Sequence, residues 1–242
     1  MSIAFRHPGD TVRADSRGRD RLSGYAKRLA GVIAGAAIVC VLLGLYIGVY
    51  LTSQPGSARA AQTPAGAQLY LGTVPAAALN DVHPTWVSYY AVDPGARNWR
   101  HVTTYVLPAN TVVHVTIYNY DSQTGLRNPF ISQAQGTLGG VFTLDGKQTK
   151  TIDPDAASHV FAIPELGVQV PIEGVADNAK NPCSNAPCGL NFTHTTTSFT
   201  FKTGKAGLYR WQCFVPCAAG YIQGWGGPMQ TVGYMDGFIK VV

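Results

Sequence analysis

Cys213 and Cys217 stand four residues apart, just after an alternating stretch at 208–212 (LYRWQ). Two thiols spaced this way at a strand end do one of two things. They close a short disulfide loop in an oxidising compartment, or they act as thiolate ligands to a metal. A second pair, Cys183 and Cys188, brackets Ser-Asn-Ala-Pro. It reads as a disulfide, because a zinc site would need two more ligands and His194 is the only candidate nearby. Cys40 lies in an apolar run and reads as a small apolar residue without chemistry. Elsewhere the chemistry is sparse. The sequence holds no Gly-x-Ser-x-Gly elbow, no phosphate loop and no His-Glu-x-x-His. Asp153 and Asp155 flank Pro154 and read as turn chemistry rather than as an acid/base pair. Glu165 reads as a turn residue at a subunit boundary. No catalytic residue is assigned.

The elements that must position these cysteines are mostly strands. Charged residues make up only 13% of the 242, and 27 Gly and 15 Pro suit a turn-rich β domain. The stretches 86–92, 102–106, 111–120, 160–163, 168–172, 195–201, 208–212 and 238–242 alternate or are rich in β-branched residues. A hairpin is expected at 141–152, turning at Asp145-Gly146. Short strands at this spacing predict a mainly β fold, an antiparallel sandwich with Greek-key connections. His114 falls on the solvent side of its strand, opposite Val113, Val115 and Ile117.

Ahead of the sandwich, residues 29–51 contain no charge. As a helix they span about 34 Å, enough for a hydrocarbon core of roughly 30 Å. Residues 1–28 carry seven Lys/Arg against three Asp, while the rest of the chain is almost neutral, eleven against ten. That asymmetry predicts a cytoplasmic basic tail (1–28), a single transmembrane helix (29–51), a small-residue linker (52–80) and an extracytoplasmic domain (81–242) in the cell (inner or plasma) membrane. The rival is a cleaved signal peptide, for which Ala58-Arg59-Ala60 resembles the cleavage site, although the apolar run exceeds the usual signal core. A local basic tail with no basic, aromatic-lined groove argues against nucleic acid as a partner and leaves membrane lipid as one.

Three stretches together resemble subunit II of the haem–copper oxidases (cytochrome c oxidase and quinol oxidase), whose outer domain is a cupredoxin. The first is 106–117, with Leu107-Pro108-Ala109-Asn110-Thr111. The second is 158–167, from Ser158-His159 to Pro164-Glu165-Leu166-Gly167. The third is 207–217, with Gly207, Tyr209, Cys213 and Cys217. The resemblance covers roughly residues 86–242 and implies His159, Cys213 and Cys217 as copper ligands, with a backbone carbonyl at Val215. It also implies a haem-bearing membrane subunit of a respiratory complex as partner, and cytochrome c or another electron donor.

The departures point the other way. Where the family carries its second histidine and its methionine, this chain has Tyr221 and Gly224. A dinuclear or blue copper site needs two imidazoles. The sequence therefore favours a metal-free domain with a structural or docking role, and a Cys213–Cys217 disulfide, with copper as the alternative. Under that alternative His159, Cys213, Cys217 and Met229 form an atypical site on a free-standing electron carrier or copper-handling protein. A third reading is an interaction module that uses Trp225 in its Gly-rich loop.

Overall fold

Residues alternate inward and outward along the strands, so the burial pattern records which face each strand gives to the core. Our computed structural model describes residues 16–51, 56–77, 86–125, 128–217, 227–229 and 231–242. The chain divides into two units, Met1–Ser53 and Gln54–Val242.

The described residues of the first unit are one helix, α1 (Ser16–Leu45), continued by a π-helical turn, Tyr46–Leu51. Within it Gly24–Gly48 is long and apolar enough to cross a membrane, as an anchor or a signal sequence would be. Leu29, Val32, Ile33 and Leu42 are exposed, on a part of the helix that carries no charge after Arg28. The basic tail expected over 1–28 is helical from Ser16 onward, and residues 1–15 lie outside the described part.

The second unit is a sandwich of two sheets. Its strands are β1 (Ser57–Arg59), β2 (Ala61–Thr63), β3 (Gly66–Ala77), β4 (Trp86–Val92), β5 (Trp99–Arg100), β6 (Thr104–Leu107) and β7 (Val112–Asn119). They continue with β8 (Phe142–Leu144), β9 (Lys147–Thr149), β10 (Ala157–Ile163), β11 (Val168–Glu173), β12 (Thr195–Lys202), β13 (Gly207–Gln212) and β14 (Asp236–Val241). One sheet has the order β1-β6-β14-β13-β10-β11. The other has the order β5-β4-β3-β7-β12-β8-β9, with β2 beside β3. Most pairings are antiparallel, but β1–β6, β6–β14 and β3–β7 are parallel. The hairpin turn falls at Asp145 (φ 46°) and Gly146 (φ 81°), the positive-φ pair that a two-residue hairpin requires.

The linker expected over 52–80 is where the structure differs most. Residues 57–77 form three strands, and β3 runs between β4 and β7 in its sheet. Ala67, Leu69, Leu71 and Thr73 are buried on one side of it. Its small residues serve close packing: a Cβ on Gly72 would lie 2.4 Å from the Trp99 ring.

The two sheets enclose an aromatic core. Trp211 on β13 lies 4.8 Å from the Tyr89 ring of the opposite sheet and stacks at 5.3 Å on Phe161. A smaller cluster forms on the outer side of β3 and β4, where Val74, Tyr90, Tyr120 and Trp99 meet the Cys183–Cys188 disulfide.

Beside that cluster His101 stacks on Tyr90 at 4.6 Å, with Nε2 2.7 Å from Ser88 Oγ. Burial pushes its pKa from 6.5 down to about 4, against an opposing pull from the Gly233 backbone. Between those two values the unfolded chain binds a proton that the folded chain refuses. Stability from this group is therefore complete above pH 6.5 and is lost as pH falls toward 4. The expected slope is about 1 kcal/mol per pH unit after a discount for partial exposure. Urea midpoints between pH 7.5 and 5 check it: His101→Gln should flatten the profile relative to wild type, and an unchanged slope would remove His101 as its source.

Candidate metal centre

Two strand ends and one bulge build the site. β10 is buried along its whole length, and its register with β11 shifts between Ala157 and His159. A bulge of this kind re-aims the side chain that follows it, and His159 is fully buried. Cys213 comes immediately after β13, which pairs along its whole length with β14 and meets β10 at Ala162–Gln212. Its amide donates to Met235 O at 3.0 Å. From Cys213 to Cys217 the loop alternates: Cys213, Val215 and Cys217 point inward, while Phe214 and Pro216 are exposed.

The result is a convergence of three donors. His159 Nδ1 lies 2.8 Å from Cys217 Sγ, and the two sulfurs are 3.4 Å apart. Nδ1 or Nε2 and both Sγ atoms fall within 4.8 Å of one another, all buried. The amide of Val160 donates to Cys213 Sγ at 3.4 Å, and Val215 O lies 3.5 Å from the same sulfur. The expected Cys213–Cys217 disulfide is not formed; both are free thiols, each drawn into contacts with the imidazole or backbone around it. The disulfide is Cys183–Cys188.

The electrostatics favour a thiolate. Burial alone would lower the pKa of His159, but the Asp121 carboxylate and the Cys213 sulfur raise it to about 9. Burial alone would raise the Cys213 thiol, but Cys217, His159 and the Val160 amide hold it well below the usual range. Cys217 is pushed up by its burial and by the charge on its neighbour. Cys217 Sγ is the sulfur 2.8 Å from the ring, and the two thiols titrate as a pair rather than singly.

The expectation of a metal-free domain finds no support here, because two soft sulfurs and an imidazole already point at one buried spot. That donor set fits Cu(I), and a thiol there must shed its proton to bind.

The remaining candidates separate from this trio. His194 Nδ1 is 2.7 Å from Phe192 O, and its ring lies against Tyr118 and Tyr120. His114 is on the outer face, 3.1 Å from Thr200 Oγ1. Met229 packs against the core, and its carbonyl accepts from Gln212 Nε2 at 2.8 Å. Glu165 sits in a 3-10 turn and accepts from the Arg210 amide; Asp153 caps the turn before β10. Tyr221, Gly224 and Trp225 lie outside the described residues.

Sequence reasoning missed Asp121, which faces His159 Nε2 at 3.1 Å from its Oδ2. Its only sequence signal is a carboxylate just past the end of the clearest strand.

No protein-family model matches the chain, and no curated protein does. Among solved structures, reduced rusticyanin aligns over 77% of this chain and 84% of its own, at 16% identity and a TM-score of 0.33. Rusticyanin from Thiobacillus ferrooxidans covers 77% and 82%, at 16% identity and 0.30. Auracyanin B covers 79% and 99%, at 18% identity and 0.25. The fold that the strands themselves show is a mainly β sandwich of two sheets that follows one apolar helix.

Proposed function

We propose that this chain is a membrane-anchored copper protein of electron transfer, with one copper held by His159, Cys213 and Cys217. The observation that carries it is the convergence of those three buried donors, with neither sulfur in a disulfide. A copper held by these residues would supply one-electron redox chemistry. The chain's part is to keep water out, hold a thiolate ready and keep the ring turned toward the sulfurs. Zinc also accepts Cys₂His with an open position, and a redox titration separates the two metals.

The helix Gly24–Gly48 would anchor the domain, with the basic N-terminus inside and the sandwich outside. The motifs at 106–117, 158–167 and 207–217 favour placing the domain on a haem-bearing membrane subunit, as in oxidase subunit II. The retained donor trio equally suits a free-standing carrier or copper-handling protein. Purification of the native membrane assembly, with chains and metals identified together, tests both. One copper per chain with a haem–copper subunit supports the first reading, and one copper without such a subunit supports the second. A preparation that takes up no copper when reduced and loaded would end the copper reading.

A further inference from the structure

A neutral imidazole offers a metal only one nitrogen, and the hydrogen bond at the other decides which. At His159 the two nitrogens meet different surroundings. Nδ1 lies 2.8 Å from Cys217 Sγ, while Nε2 makes a 3.1 Å ion-pair contact with Asp121 Oδ2 that lies off the line of a hydrogen bond, and Nε2 has no hydrogen-bond partner among the described residues. Around the ring, the His159 side chain is 1% exposed and the Asp121 side chain 21%. Asp121 forms part of a cleft of about 250 Å³, also lined by Tyr120, Val175 and Asp177.

Its placement is built rather than incidental. Asn119, fully buried, sets the turn after β7: its Nδ2 donates to Asp121 O at 3.1 Å and to Glu173 O at 2.8 Å. Asn119 Oδ1 accepts from the Asp121 amide at 3.2 Å and from Thr73 Oγ1 at 2.5 Å. The Val175 amide holds Asp121 O at 2.8 Å, and the Ser122 amide donates to Asp121 Oδ1 at 2.8 Å. One carboxylate oxygen is thereby committed to the backbone, and Oδ2 is left to the ring.

We infer that Asp121 is a positioning residue of the metal site: it fixes the His159 ring through Nε2 so that Nδ1 is the donor presented beside Cys213 and Cys217. This rests on the copper reading above. A carboxylate behind a ligating imidazole also makes the ring a stronger donor, which matters in a site with one matched histidine.

The test uses the full chain, reduced and loaded with Cu(I), and three variants: Asp121→Ala, Asp121→Asn and Asp177→Asn. Competition with a chromophoric Cu(I) chelator should show Asp121→Ala weaker by about 10- to 100-fold. Asp121→Asn keeps an acceptor of the same shape and should lose less. Asp177→Asn, which removes a charge from the same cleft, should match wild type. The second readout is the ¹⁵N spectrum of His159 in the Cu(I) form. Wild type should show a protonated Nε2 and a metal-bound Nδ1, and Asp121→Ala should lose the protected Nε2–H signal. If Asp121→Ala does not fold, the isosteric Asp121→Asn carries the test through its ¹⁵N spectrum and its smaller loss.

Wild-type affinity and an unchanged ¹⁵N spectrum in folded Asp121 variants would overturn the inference and leave the copper site standing. An equal loss in Asp177→Asn would also overturn it, since cleft charge would then explain the effect. A wild-type chain that binds no copper would overturn both.

Discussion

Cys213→Ser is expected to abolish stoichiometric copper binding, with Cu(I) affinity falling on the order of a thousand-fold, about 4 kcal/mol. The cause is chemical rather than steric. Cys213 is fully buried, accepts the Val160 amide at 3.4 Å and sits 3.4 Å from the other sulfur. A serine hydroxyl can take the same amide, but it is a hard donor that stays protonated, so the soft metal ion loses one of its two soft sulfur ligands. The sandwich itself should lose only about 1 kcal/mol, because the hydroxyl finds a partner where the thiol had one. Metal analysis and chelator competition read the first quantity, and urea unfolding reads the second. Breaking the other cysteine pair, Cys183–Cys188, should leave copper content unchanged, since that pair staples the outer cluster. Retention of one copper per chain in Cys213→Ser would remove this cysteine from the site.

Gly237→Ala is expected to destabilise the domain by more than about 3 kcal/mol, a large loss for one methyl group. Gly237 lies on β14, opposite Trp211 in the ladder. A Cβ there would stand 2.0 Å from Thr103 O and 2.7 Å from the Trp211 indole nitrogen. That nitrogen donates to Thr103 O at 2.8 Å, so the new methyl would fall into the space the hydrogen bond occupies. Neither neighbour can yield cheaply. Thr103 O also accepts from the Phe238 amide at 3.0 Å, and the Trp211 ring is fixed between Tyr89, Tyr105 and Phe161. Because Trp211 is two residues before Cys213, copper affinity should fall along with stability. Urea unfolding followed by tryptophan fluorescence measures the loss, and a variant within 1 kcal/mol of wild type would show that the strand shifts to make room.

The strands that position the site were mostly legible in the residues. Val113, Val115 and Ile117 alternate with His114 and Thr116, and β7 is buried at the first three. Asp145-Gly146 marked the hairpin, because few residues tolerate those backbone angles. The types of the three donors were legible too, and so was a helix long enough for a bilayer. All of these are local signals, set by period or by the chemistry of one or two residues.

The tertiary structure decided what depends on neighbours distant in sequence. β3 looked like a linker because small residues and a proline carry little strand preference of their own; a strand between two others, with an indole lying over its glycine, is stabilised by that context. Whether Cys213 and Cys217 close on each other or face a ring, and whether one imidazole is held by Asp121, turn on contacts between strands separated by dozens of residues. Composition records which groups are present. Only the packing of the two sheets determines which nitrogen faces which sulfur.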